Sequence, residues 1–335
     1  MKYIRIFLAF AFLLCMASAT LDSSSSEIIP ESINASHEIE LISYSDEPIA
    51  FAVEYLLSCQ NRDGGFGPLP GRESSLVPTC QAVVALTSMG KNLSTLPHGS
   101  PLPYLQSQPD LLANQSNVEA QTGRLVVALS AAGGDPCDVG GNNYLQTLKG
   151  YCSPSGEIGK KGYIWDDAWV IFGLAACNES GSQPVLLAVE YLKSLQTASG
   201  GWSWQGSADG VDPDTTCIVV CALLAGGEDA DSPSISKALA YLKSEQNPDG
   251  GFSSLGSNAA TDGWAILTIR AAGQNPAQWK VGSADPVHHL LSLQTEDGSV
   301  WWKSDSEGMS FEWTANMILA LTGGRMPPVV YGQGG

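Results

Sequence analysis

A short segment recurs along this chain at nearly constant spacing, and that recurrence limits the architectures open to it. It reads "EYLLSCQNRDGGF" from Glu54, "EYLKSLQTASGGW" from Glu190, "AYLKSEQNPDGGF" from Ala240 and "HHLLSLQTEDGSVW" from His288. Weaker copies, "PYLQSQPD" from Pro103 and "NYLQTLKGYC" from Asn143, fill the gap. The anchors Tyr55, Tyr104, Tyr144, Tyr191, Tyr241 and His289 stand 49, 40, 47, 50 and 48 residues apart. A period in this range marks one supersecondary unit, repeated because a single copy cannot bury its own apolar face.

Each unit has the same anatomy. An amphipathic helix ends in a Gln-x-x-x-Gly-Gly-aromatic turn, where glycine permits left-handed backbone. After a loop comes a second, far more apolar helix: "TCQAVVALTSMG", "AQTGRLVVALSAAGG", "DDAWVIFGLAAC", "DTTCIVVCALLAGG", "TDGWAILTIRAAG" and "WTANMILALTGG". A helix apolar nearly all round must be covered on all sides. The expectation is all-α: six inner helices ringed by six outer ones, a closed α6/α6 toroid over residues 49–324. An open helical solenoid is the alternative, and the uniform apolarity of the second helices favours closure.

The "YLxSxQ…GG(F/W)" pattern resembles the QW-type repeat of terpenoid cyclases and protein-prenyltransferase β subunits, and the resemblance spans essentially the whole repeat region. It specifies the fold well and the activity poorly, because this toroid superfamily also holds cobalamin carriers and thioester domains.

The ends of the chain read differently. Lys2 and Arg5 precede the apolar run "IFLAFAFLLCMA", and Ala17-Ser18-Ala19 follows. This is the form of a signal peptide over residues 1–19, too short for a membrane span of about 20 apolar residues. Residues 20–48, rich in Ser and Glu, read as a polar lead-in, and 325–335 as a tail. Export implies a secreted or cell-surface protein with no transmembrane span, peripheral membrane contact staying open. The net charge of −18 disfavours nucleic-acid partners. Of the seven cysteines beyond the signal, Cys217 and Cys221 are one helical turn apart and not expected to bridge. Cys137, Cys152 and Cys177, in or beside loops, are better bridge candidates, and Cys59 and Cys80 complete the set. Sequons stand at Asn34, Asn92, Asn114 and Asn178.

Five of the six inner helices begin with acid: Glu119, Asp166 with Asp167, Asp212 with Asp214, Asp262, and Glu312. Carboxylates at helix N-termini complement the dipole, each contributing about 0.3–1 kcal/mol. In a toroid the same residues would also gather as an acidic mouth over an apolar cavity. "DPDTT" is the sharpest case. Proton-initiated terpenoid cyclases, which the chain resembles, use Asp-x-Asp-Asp at such a helix start. By that resemblance Asp214 is the acid and Asp212 its helper, with Thr215 in place of the last Asp. Aromatic faces stabilise carbocations, and Trp165, Trp169, Trp202, Trp204, Trp264 and Trp313 lie at or near inner-helix starts. With Asp166, Asp167, Asp262 and Glu312 they form the expected substrate-binding set.

No metal or cofactor is expected. Protein prenyltransferases hold zinc through Asp-x-Cys and a distant His; Asp214 and Cys217 have the wrong spacing and the last inner helix contains no His. The Gly-Cys-Gly-Glu-Gln thioester motif is absent. Two functions stay open: a terpenoid-cyclase-like protein for an isoprenoid or similar apolar small molecule, and a non-catalytic binding module for a corrinoid, a glycan or a surface partner. Oligomeric state is not legible.

Overall fold

The computed structural model describes residues 46–107, 117–159, 162–253, 255–304 and 310–328. The signal peptide, the lead-in up to residue 45, the tail from 329 and the sequons Asn34 and Asn114 lie outside the described residues.

Among the described residues twelve α-helices alternate in pairs along the chain. They are α1 (Asp46–Ser58) and α2 (Leu76–Ser88), α3 (Leu102–Gln106) and α4 (Val118–Ala131), and α5 (Tyr144–Tyr151) and α6 (Ile164–Ala176). The second half adds α7 (Gln183–Ser194) and α8 (Pro213–Ala225), α9 (Pro233–Ser244) and α10 (Ala259–Ala271), and α11 (Pro286–Ser292) and α12 (Phe311–Leu321). Each odd helix carries a "YLxSxQ" copy or its equivalent, and each even helix is one of the apolar runs. On α8, ten of the thirteen residues are buried, as a helix enclosed on all sides requires. Strand content among the described residues is slight: β1 (Trp202–Ser203) pairs antiparallel with β2 (Val211–Asp212), Trp202 opposite Asp212. No helix among the described residues is long and apolar enough to cross a membrane.

The even helices pack in sequence, α2 on α4, α4 on α6, and so on to α12, which packs back on α2. The ring is therefore closed, a toroid and not a solenoid. Ser88 Oγ and Thr322 Oγ1, at the ends of α2 and α12, meet at 2.9 Å. The repeat glutamine fastens the outer layer. Gln196 Nε2 donates to Gly200 O in its own turn at 2.7 Å and to Ser234 O in the next unit at 2.8 Å. Gln246 bonds Gly250 O and Trp279 O in the same way. In the last unit Gln294 Nε2 reaches Gly298 O and, at 2.8 Å, Pro48 O of α1. Gly298 is at φ 85°, and a Cβ there would lie 2.1 Å from Phe51 O. Only glycine allows this turn to seat on α1 and seal the ring.

All seven cysteines among the described residues are free, so the expected bridges among Cys137, Cys152 and Cys177 are not formed. Cys152 instead turns its Sγ back on Leu148 O at 3.5 Å. Cys217 and Cys221 are buried in α8, Cys221 Sγ lying 3.3 Å from Thr268 Oγ1 of α10.

Candidate functional site

A recurring hydrogen bond fixes the rotation of five of the six inner helices. The backbone N–H of the residue closing the Gly-Gly turn donates to a side chain in the first turn of the following inner helix. The pairs are Phe66 to Thr79 Oγ1 (2.9 Å), Ile158 to Asp167 Oδ1 (3.0 Å), Trp202 to Thr216 Oγ1 (3.0 Å), Phe252 to Asp262 Oδ1 (2.8 Å) and Val300 to Thr314 Oγ1 (2.9 Å). Thr122 holds the same position in the second unit. With this staple facing outward, positions two residues before and two after it face the lumen, one helical turn apart on a common face.

A cavity of about 420 Å³ occupies that lumen, within the range of about 300–1,000 Å³ usual for ligand pockets. Two residues before the staple lie Trp165, Asp214, Ala260 and Glu312; two after it lie Gln81, Arg124, Trp169, Trp264 and Asn316. Asp212, Thr215, Trp204, Trp313, Cys80, Val84, Ala315, Leu319 and Met326 complete the lining. The wall is two-sided. Polar groups come from α2, α4, α8 and α12, whereas α6 and α10 supply most of the indole faces.

The aromatic side is one cluster. Trp264 lies edge-on to Trp165 and Trp169, ring centroids 6.1 and 6.4 Å apart, and stacks at 6.4 Å on Phe172. These contacts span the lumen from α6 to α10. Trp204 is 51% exposed and packs edge-on against half-exposed Tyr163, so this pair forms part of the rim.

Asp212 and Asp214 divide two tasks that the sequence leaves joined. Asp212 is the N-cap of α8: its Oδ1 accepts from Thr215 N at 2.7 Å and its Oδ2 from Thr215 Oγ1 at 2.9 Å. Asp214, in the first turn, is not the cap, contrary to the expectation that it would cap α8. The Thr261 side chain of α10 lies beside its carboxyl. Burial pushes the Asp214 pKa up to about 6, the nearby charge of Asp212 adds to the rise, and Thr261 opposes it. Burial likewise raises Asp212, against its bonds to Thr215. Glu312 is raised by its enclosure, with Arg124 and Gln81 opposing.

Four of the expected site residues do not line the cavity. Trp202 is fully buried between helix layers and donates through Nε1 to Leu192 O at 2.7 Å; it is the repeat-turn aromatic. Asp167 and Asp262 are staples, standing where other units have Thr, and so face away from the lumen. Asp166, one residue before that staple, is buried at the start of α6 and absent from the lining. Burial pushes the Asp167 pKa up to about 8, with Asp166 and Glu157 adding to it. A carboxyl whose folded pKa is raised costs stability as pH climbs from about 4 towards that value. Asp167→Thr, matching four of the other units, is therefore expected to stabilise the fold by a few kcal/mol above about pH 8 and by little near pH 4. Thermal melts at the two pH values measure the difference.

Sequence reasoning missed Gln81, Arg124 and Asn316. Arg124 had a signal, being a cation within the apolar run of α4. Gly123 lets α4 and α6 approach so closely that a Cβ there would lie 2.2 Å from Trp169 O, which brings the Arg124 guanidinium to 4.6 Å from the Trp169 ring centroid. Among the described residues no group of three or more His, Cys, Asp or Glu side chains could hold a metal ion.

Solved structures with this geometry include type II terpene cyclases. The apo form of the enzyme MstE from Scytonema is 20% identical, with TM-score 0.56, covering 83% of this chain and 97% of its own. A variant of that enzyme in complex with its substrate, geranylgeranyl dihydroxybenzoate, matches at TM-score 0.53, with 20% identity and coverage of 83% and 96%. A glycosidase variant in complex with glucose is 13% identical, with TM-score 0.57, covering 82% and 95%. At these identities the likeness establishes the fold. No curated protein matches the chain. The family model of the prenyltransferase alpha-alpha toroid domain matches residues 2–119 and 144–323, well over half the chain, and on that match the protein belongs to the prenyltransferase alpha-alpha toroid family.

Proposed function

We propose that the central cavity binds an isoprenoid-like chain and that Asp214 donates a proton to one of its alkenes, starting a cyclisation of the class II terpene cyclase type. The observation that carries this reading is the state of Asp214. It is free of the cap, lies beside Thr261, has a pKa pushed up to about 6, and lines a cavity walled by indoles. A carboxyl of that pKa retains its proton over part of the range near neutrality, as a general acid must. In the step itself the Asp214 O–H bond breaks, a C–H bond forms at one alkene carbon, and the other carbon becomes cationic. The faces of Trp165, Trp169 and Trp264 can stabilise that cation by about 0.5–2 kcal/mol each. Loss of a proton from the last cation returns the balance. Asp212, fixed by Thr215, acts on Asp214 through its charge.

The sequence features at residues 1–19 support export to an extracytoplasmic site, and the net charge of −18 argues against a nucleic-acid partner. The cellular source of the ligand would then be a lipid or secreted isoprenoid. Native mass spectrometry after incubation with an isoprenoid alcohol, a corrinoid and an oligosaccharide tests the reading. A retained isoprenoid mass is the expected result. Retention of the corrinoid or the sugar instead would replace it with the non-catalytic binding module, a role compatible with the same acids and indoles.

A further inference from the structure

The polar side of the cavity contains a feature that protonation of an alkene does not use. Arg124 lines the lumen from α4, yet among the described residues nothing hydrogen-bonds its guanidinium, and its Nε is buried without a partner. Its Cζ lies over the Trp169 ring, 4.6 Å from the centroid. The indole Nε1 of Trp169, a donor on another cavity-lining side chain, is also buried without a partner. A buried guanidinium with unused donors is costly to maintain, and native structures almost always satisfy such groups. A guanidinium presents its donors as a planar fork, the arrangement that matches a carboxylate bidentately.

We infer that Arg124, with the Trp169 Nε1–H beside it, is a subsite for a carboxylate, and that the ligand is an isoprenoid bearing a single acidic head group. The inference rests on the isoprenoid reading above. The charge around the cavity selects one negative charge over several. Among the described residues Arg124 is the one cation in the lining, whereas Asp212, Asp214 and Glu312 also line it. Glu312 and Asp166 already act on Arg124 electrostatically. A diphosphate would meet more repulsion than one guanidinium can offset. Gln81 and Asn316, also in the lining, are neutral and can serve either oxygen of a carboxylate.

The test is isothermal titration of the full chain with farnesol, farnesoic acid and farnesyl diphosphate at pH 7. The wild type is expected to bind the acid about 10- to 100-fold more tightly than the alcohol, the worth of hydrogen bonds between charged partners. The diphosphate is expected to bind more weakly than the acid. Arg124→Met should bring the acid-to-alcohol ratio close to one. Arg124→Lys keeps the charge and loses the fork, so it should retain an intermediate preference, and it serves as well if the Met variant does not fold. Equal binding of acid and alcohol by the wild type, a preference that survives in Arg124→Met, or tighter binding of the diphosphate would each overturn the carboxylate subsite while leaving the isoprenoid reading intact. Failure of all three probes to bind would overturn both.

Discussion

Asp214→Asn is expected to lower turnover of a cyclisable isoprenoid by at least about 10²–10⁴-fold, the usual worth of a positioned general acid, with no loss of melting temperature. Asn has the same shape and can keep a contact with Thr261, but it has no acidic proton to deliver. The stability side follows from the sign of the shift. Asp214 has a folded pKa of about 6 against an ordinary 3.8, so folding takes up a proton between those values, and stability falls as pH rises from about 4 to 6. Asn removes that slope, and the variant should match the parent below about pH 4 and be more stable by a few kcal/mol at pH 8. In the parent, turnover should rise as pH falls through about 6, following the protonated fraction. Asp212→Ala should behave in the opposite way. It deletes the α8 cap and both bonds to Thr215, costing about 1 kcal/mol, with a smaller effect on turnover. Chemical denaturation and product formation, measured on both variants across pH 5–8, separate the two carboxylates. A silent Asp214→Asn in the turnover assay would reject proton-initiated chemistry.

The division between these residues shows where sequence reading succeeds and where it stops. The toroid was legible because it depends on periodicity and on helices apolar on every side, and both are properties of residue order alone. The glutamine of the repeat was legible as a marker but not as a device. That its amide ties one unit to the next, and finally to Pro48 across the seam, depends on three-dimensional closure. The acids at the helix starts were the harder case. Carboxylates one or two residues apart point in different directions on a helix, since successive residues are rotated by about 100°. Asp214 therefore reaches the lumen while Asp167 and Asp262, at the next register but one, turn towards the loop N–H they serve. Aligning the six inner helices on Thr79, Thr122, Thr216 and Thr314 would have exposed Asp167 and Asp262 as substitutes for a structural threonine. Trp202 was misplaced for a similar reason, because the turn aromatic packs between layers and not into the ring. Arg124 could be noticed in the sequence, but the lack of a partner could be seen only after packing.

Asp262 carries the second large expectation. It is fully buried, accepts from Phe252 N at 2.8 Å, and its other oxygen meets His289 Nδ1 at 2.5 Å. His289 in turn faces Asp249 through Nε2 at 3.6 Å. This unit departs from the others twice: it has Asp where four units have Thr, and the next anchor is His where the others have Tyr. The two departures compensate for each other. Asp262→Ala would strand the buried Phe252 N–H and leave His289 without its partner, a loss of about 3–5 kcal/mol. At roughly 2–4 °C per kcal/mol the melting temperature should fall by about 10 °C. The pair also carries a pH slope. Asp262 is raised to about 6, chiefly by burial, while Asp262 and Asp249 raise His289 against its own burial. The carboxyl costs stability as pH climbs from about 4 to 6, and the imidazolium contribution, fully present below its unfolded pKa of about 6.5, is lost as pH rises through the higher folded value. Both act in the same direction, so this unit is weakest in alkali. The double variant Asp262→Thr with His289→Tyr restores the pattern of the other units: Thr can take the Phe252 N–H as Thr216 takes that of Trp202, and Tyr fills the anchor position. It should recover most of the stability lost in Asp262→Ala and flatten the melting temperature between pH 6 and 9. If Asp262→Ala melts with the parent, or if the double variant is as unstable as the single one, the compensation between these two positions is wrong.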